Sequence, residues 1–141
     1  MAALVGQANE KSKPHYIEVS EGWLRYLGRR QPVVVDVGTA RWTYGNLEVR
    51  LTPHLALQEP DGTTSAVFLH FKQAPLSRDA ADMVLWLMEE TMNQLRPRAQ
   101  AVAVDVRRSK QFMLKNRNRQ KIGAWVRSEA LAFLSLWDAA A

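Results

Sequence analysis

The sequence predicts an α+β fold, a single domain in which a mixed, mainly antiparallel sheet is packed by two long helices in the order helix, strands, helix, strand, helix. Three observations lead there. Short β-rich runs at 33–37, 41–44, 47–51, 54–58 and 65–71 are separated by Pro and Gly turns, as in a meander. Two longer stretches, 77–96 and 122–137, repeat apolar residues at three and four. A further apolar strand, Ala101–Val106, follows the first of those helices at the spacing of a crossover to a parallel neighbour. The chain has 141 residues, and its 47% hydrophobic and 23% charged content is that of an ordinary globular domain. No apolar run approaches the roughly 18 residues of a membrane-spanning helix. Cysteine is absent, which excludes disulfides, thiolate catalysis and thiolate metal sites.

Residues 1–16 lack periodicity and read as a flexible tail, leaving the domain at 17–141. Ser20 is placed to cap a short helix with Glu21 in its first turn and Trp23, Leu24 and Leu27 on one face, ended by Gly28. After Pro32, Val33-Val34-Val35-Asp36-Val37 reads as a buried strand. Gly45-Asn46 joins Arg41–Tyr44 to Leu47–Leu51 as a tight hairpin, with Leu47, Val49 and Leu51 inward and Glu48 and Arg50 outward. Pro53 assigns His54–Gln58 to a sheet edge. Glu59-Pro60-Asp61-Gly62 is a turn. Ser65–Phe71 is apolar on both faces and belongs at the sheet centre. Ser77 caps the next helix, with Asp79 in its first turn, and Pro97 stops it. In the last helix Ile122, Trp125, Val126, Ala130, Phe133, Leu134 and Trp137 form one stripe.

Charge gives the main functional lead. The net charge is +5, and residues 106–128 hold eight basic residues and no acidic one, so the remainder of the chain is net negative. Within this stretch the segment 107–121 carries Arg107, Arg108, Lys110, Lys115, Arg117, Arg119 and Lys121. Cations alternate with Asn116, Asn118 and Gln120, donors suited to phosphate oxygens and base edges. An extended chain would project Lys115, Arg117, Arg119 and Lys121 on one side at period two. The leading expectation is therefore a nucleic-acid-binding protein without catalysis, its partner DNA or RNA, with Lys72 and Arg50 contributing. A cytoplasmic location is expected from the lack of a leader sequence, and no membrane association is foreseen. Trp42 and Tyr44 offer a stacking surface or hairpin packing. The third reading is a protein-interaction module or homodimer with Met83, Trp86 and Met92 at the interface, the basic segment meeting an acidic partner.

For chemistry the sequence offers less. Gly residues never reach the spacing of a phosphate loop, and His15, His54 and His70 lack metal-ligand spacing, so no metal site and no cofactor are expected from these patterns. Asp36 and Asp105 each interrupt a β-branched run and require partners. The element order over residues 20–106, with the triplet His70-Phe71-Lys72 on the third core strand, is similar to the core of PD-(D/E)XK nucleases. That family holds Mg²⁺ and activates water with an acid on the second core strand and a (D/E)-x-K triplet on the third. The resemblance implies a divergent metal-dependent nuclease in which Lys72 is the family lysine and Glu48 or Glu59 is the acid, with Asp61 next in order. Glu21 would echo the helix acid of some members. His70 stands where the family has a carboxylate, and His54 opens the strand after Pro53.

Overall fold

The structure, a computed structural model, describes residues 13–140. Its elements are helix α1 (Lys13–Leu27), strands β1 (Val33–Val35), β2 (Ala40–Tyr44), β3 (Leu47–Leu51), β4 (Leu55–Gln58) and β5 (Thr64–His70), helices α2 (Arg78–Glu90) and α3 (Met92–Leu95), strands β6 (Gln100–Asp105) and β7 (Lys110–Phe112), and helix α4 (Arg119–Ala140). A mixed five-stranded sheet runs β1-β4-β5-β6-β7, antiparallel throughout except for β5 and β6, and β2-β3 forms a separate two-stranded ribbon. The α+β class and the central, parallel-paired β5 follow the sequence expectation.

The two faces of β5 and β6 explain the layering. Val67, Leu69, Val102, Val104 and Val106 pack with Val19 and Leu57 beneath α1, joined by Trp23, Tyr26 and Leu27. Ala66, Ala101 and Ala103 on the other face are small, which lets Ala81, Leu85 and Met88 of α2 sit close to the sheet. The α1 stripe is thus Val19, Trp23, Tyr26 and Leu27, at helical spacing, while Leu24 points out at 62% exposure.

Three local expectations are corrected. α1 begins at Lys13, so residues 13–16 are helical rather than tail, and Pro14 sits in a first turn that tolerates it. The remainder of that tail, residues 1–12, lies outside the described residues. Ser20 is mid-helix and buried, not a cap. The expected positions of β1 and β4 are exchanged. β4 lies inside the sheet, because Pro53 precedes the strand and removes no ladder donor, while β1 is the edge with Val33 and Val34 63% and 66% exposed.

Gly22 and Gly45 show why particular residues are needed. A Cβ on Gly22 would lie 2.0 Å from the carbonyl oxygen of Val106, so α1 reaches the turn after β6 only through glycine. Gly45 adopts φ +58°, as the two-residue hairpin requires. Thr91 separates α2 from α3, its hydroxyl donating to the Leu87 carbonyl at 2.8 Å. The β2-β3 ribbon is tied to this helix end. Arg41 N–H donates to Gln94 Oε1 at 3.0 Å, Gln94 Nε2 donates to the Arg41 carbonyl at 3.3 Å, and Gly38 N–H donates to the Leu95 carbonyl at 2.8 Å.

Trp42 stacks on Tyr44 and meets the edge of Trp86, with ring centroids 5.8 and 5.7 Å apart. Trp86 and Met92 are buried, and Met83 is half-buried against the same core. The residues that the interaction-module reading placed on an outer surface therefore pack inside. Exposed apolar residues lie instead at Leu131, Phe133 and Leu136 of α4 and on β1. Of the α4 stripe, Ile122, Val126 and Ala130 are buried and Trp125 is half-buried, and for Trp137 only the backbone is described.

Candidate nucleic-acid interface

The basic segment is folded, which corrects the expectation of an extended arm. It passes through a short 3-10 turn at Val106–Arg108, strand β7, a second 3-10 turn at Asn116–Asn118 and the first turn of α4. Period two therefore fails. Lys115 precedes the second turn, Arg117 lies within it, and Arg119 and Lys121 are helical.

Within this framework the seven cations divide into two groups. Arg107 has a side chain only 8% exposed and pairs with Glu18 Oε2 at 2.9 Å while donating to the Phe71 carbonyl at 2.6 Å. It joins α1 to the end of β5. Arg108 lies 3.3 Å from both oxygens of Asp105 and donates to the Gln73 carbonyl. Asp105, 1% exposed, also accepts from Leu76 N–H at 3.1 Å, so this carboxylate is structural. Asp36 is exposed, and its carbonyl accepts from Arg96 at 2.8 Å. Arg119 forks onto Glu89 at 2.6 and 2.8 Å, tying α4 to α2, and that hydrogen-bonded carboxylate raises the guanidinium pKa above its ordinary value.

The second group is exposed: Lys110, Lys115, Arg117 and Lys121. None of them enters an ion pair among the described residues. Lys110 Nζ sits 4.9 Å over the ring of Phe112, and Arg78 approaches the same ring at 5.7 Å while donating to the Met113 carbonyl at 2.7 Å. Arg78 is a neighbour the sequence reading missed. A cation in the first turn of α2, against the helix dipole, was the available signal. Lys121 and Asn118 share a cleft of about 230 Å³ with Asp79, Asp82 and Trp125. Lys72 is exposed beyond β5, at the sheet end where His70 aligns with Asp105 and Asp105 with Lys110. Arg50 lies on the exposed side of the β2-β3 ribbon, opposite Arg41.

The residues implied by the nuclease resemblance are dispersed. Glu48 pairs with Arg41 at 3.4 Å on the ribbon, and Glu59 pairs with Arg30 at 3.2 Å before the β4-β5 turn. Glu59 bonds the residue preceding β5 and Lys72 follows its end, so the seven-residue strand, about 20 Å long, separates them. Asp61 accepts from Thr63 N–H at 2.8 Å, a bond that holds its carboxyl below the ordinary value. Glu21 is exposed on α1. His54 and His70 instead both lie toward the Lys72 end of the sheet, each with its own partners. His54 Nδ1 accepts from Leu69 N–H at 2.9 Å, its ring packs edge-on against Phe68 and Phe71, and burial lowers its pKa. The His70 ring bonds the Ala74 carbonyl at 2.7 Å. Among the described residues no cluster of His, Cys, Asp or Glu is arranged to hold a metal ion, and no helix is long and apolar enough to cross a membrane. No protein-family model, curated protein or solved structure matches the chain.

Proposed function

We propose that this protein binds nucleic acid without catalysis, through the face formed by β7, the turn before α4 and the first turn of α4. The observation that carries the reading is the set of exposed cations that form no ion pair among the described residues, Lys110, Lys115, Arg117 and Lys121, interleaved with Asn116 and Asn118. Such cations release condensed counterions when they meet phosphates, while the amides add hydrogen bonds. The test is fluorescence anisotropy with labelled single- and double-stranded DNA and RNA between about 50 and 200 mM salt. Binding that weakens with salt and with Lys115→Ala/Arg117→Ala supports the reading. No binding by the folded protein at the lowest salt overturns it.

The nuclease reading stands second. It is supported by the order of α1, the antiparallel β1-β4-β5 set, crossover α2 and parallel β6, with His54 and Lys72 lying toward the same sheet end. It requires Mg²⁺-dependent cleavage that Lys72→Ala abolishes, and binding of DNA or RNA without cleavage excludes it.

A further inference from the structure

A second cleft, of about 520 Å³, opens at the amino ends of β5 and β6, the opposite end of the sheet from Lys72. Arg96, Arg98, Thr63, Thr64 and Gln100 line it, and among the described residues no carboxylate does. Arg96 is anchored, one guanidinium nitrogen donating to the Asp36 carbonyl at 2.8 Å, which leaves its remaining N–H groups for another acceptor. Asp61, the nearest acid in sequence, is engaged by Thr63 N–H and lines a different cleft.

Arg98 is the informative residue. Its φ of +70° lies in the left-handed region, where a non-glycine residue costs folding free energy. Folding alone favours Gly or Asn there. Its side chain is exposed and makes no hydrogen bond or ion pair with any described residue, and the turn that holds it, closed by Ala99 N–H donating to the Arg96 carbonyl at 3.1 Å, is one that glycine forms at lower cost. Thr64 Oγ1 donates to the Gly62 carbonyl at 3.4 Å and Gln100 Nε2 donates to Ser65 Oγ at 2.9 Å, so the donors left for a phosphoryl group are the two guanidinium groups, the Thr63 hydroxyl and the second N–H of Gln100. The cleft is larger than a bare phosphate needs, yet among the described residues proline is the most apolar one lining it and no aromatic ring does. It therefore suits a polar body and offers a base no aromatic ring to stack on.

We propose that the Arg96–Arg98 cleft binds a phosphomonoester carried on a sugar-like body. The proposal does not rest on the nucleic-acid reading, which uses other residues. Two sources share this chemistry, a free sugar phosphate and the 5′-phosphate of an oligonucleotide. The experiment is isothermal titration calorimetry at low salt with inorganic phosphate, ribose 5-phosphate, and one oligonucleotide with and without its 5′-phosphate. The proteins are the wild type, Arg98→Gly and Lys115→Ala/Arg117→Ala.

Arg98→Gly is expected to raise the melting temperature, because it relieves the left-handed residue, while weakening inorganic phosphate and ribose 5-phosphate about tenfold or more. The Lys115→Ala/Arg117→Ala variant retains both affinities. A preference for the 5′-phosphorylated oligonucleotide that Arg98→Gly removes identifies the nucleic-acid end as the source, and tight ribose 5-phosphate binding without that preference identifies the free sugar phosphate. The proposal is overturned if the wild type binds neither inorganic phosphate nor ribose 5-phosphate, or if Arg98→Gly binds them as the wild type does.

Discussion

Ser20 and His54 show how environment redirects a side chain that composition alone assigns elsewhere. Ser20 carries the residue type of a helix cap, yet it lies buried within α1 and its hydroxyl has no hydrogen-bond partner among the described residues. A capping serine loses about 1 kcal/mol on replacement by alanine. Ser20→Ala is expected to be neutral or stabilising by up to about 1 kcal/mol, because it removes an unsatisfied buried polar group. Urea unfolding of the two proteins distinguishes these outcomes. For His54, the ring nitrogen that accepts from Leu69 N–H must be unprotonated, and burial also disfavours the charged ring. Its folded pKa lies below the ordinary 6.5, so the unfolded chain takes up a proton first as the solution is acidified. The stability it supplies is complete above that value and is lost as pH falls toward the lowered one. His54→Gln, which keeps an acceptor, is expected to flatten the dependence of the urea midpoint on pH between about 5 and 7 relative to wild type.

Elements were legible where their cause is local. The Gly45-Asn46 hairpin, the Ser77 cap, which accepts from Ala80 N–H at 3.1 Å, and the Glu59–Gly62 turn all follow from residue type and spacing. The exchanged positions of β1 and β4 were not legible, because strand order depends on long-range pairing that short apolar runs do not encode. The attachment of the β2-β3 ribbon was equally hidden. Gln94 imitates a neighbouring strand by bonding both the N–H and the carbonyl of Arg41, 53 residues away. Gln94→Ala removes both bonds and is expected to cost about 1–2 kcal/mol. Faster hydrogen exchange confined to β2 and β3 would show that the loss is local, and unchanged exchange there would remove Gln94 from this role.

At the scale of the whole molecule, the sequence located the positive charge but overstated how much of it is free. Arg107, Arg108 and Arg119 act as braces between elements: α1 and α2 bring Glu18 and Glu89 across the fold to Arg107 and Arg119, and Arg108 links the buried Asp105, three residues before it, to the Gln73 carbonyl. Their partners are remote in the chain or buried, so counting charge could not separate them from the exposed cations. If all four exposed cations meet phosphates on duplex DNA, the logarithm of affinity falls against that of salt with a slope of about −3.6. Lys115→Ala/Arg117→Ala is expected to reduce that slope by about 2 at unchanged stability. Arg119→Ala instead lowers the melting temperature and leaves the slope near its original value.

The edge strand β1 has a consequence for the protein in concentrated solution. Val33 and Val34 present an apolar edge to solvent, the kind of template on which chains aggregate. The strand is only three residues long, Pro32 denies it an amide at its start, and Arg29 and Asp36 stand exposed on either side. These are gatekeepers against templated growth, so the colloidal stability of the molecule depends on a stretch that contributes little to its core.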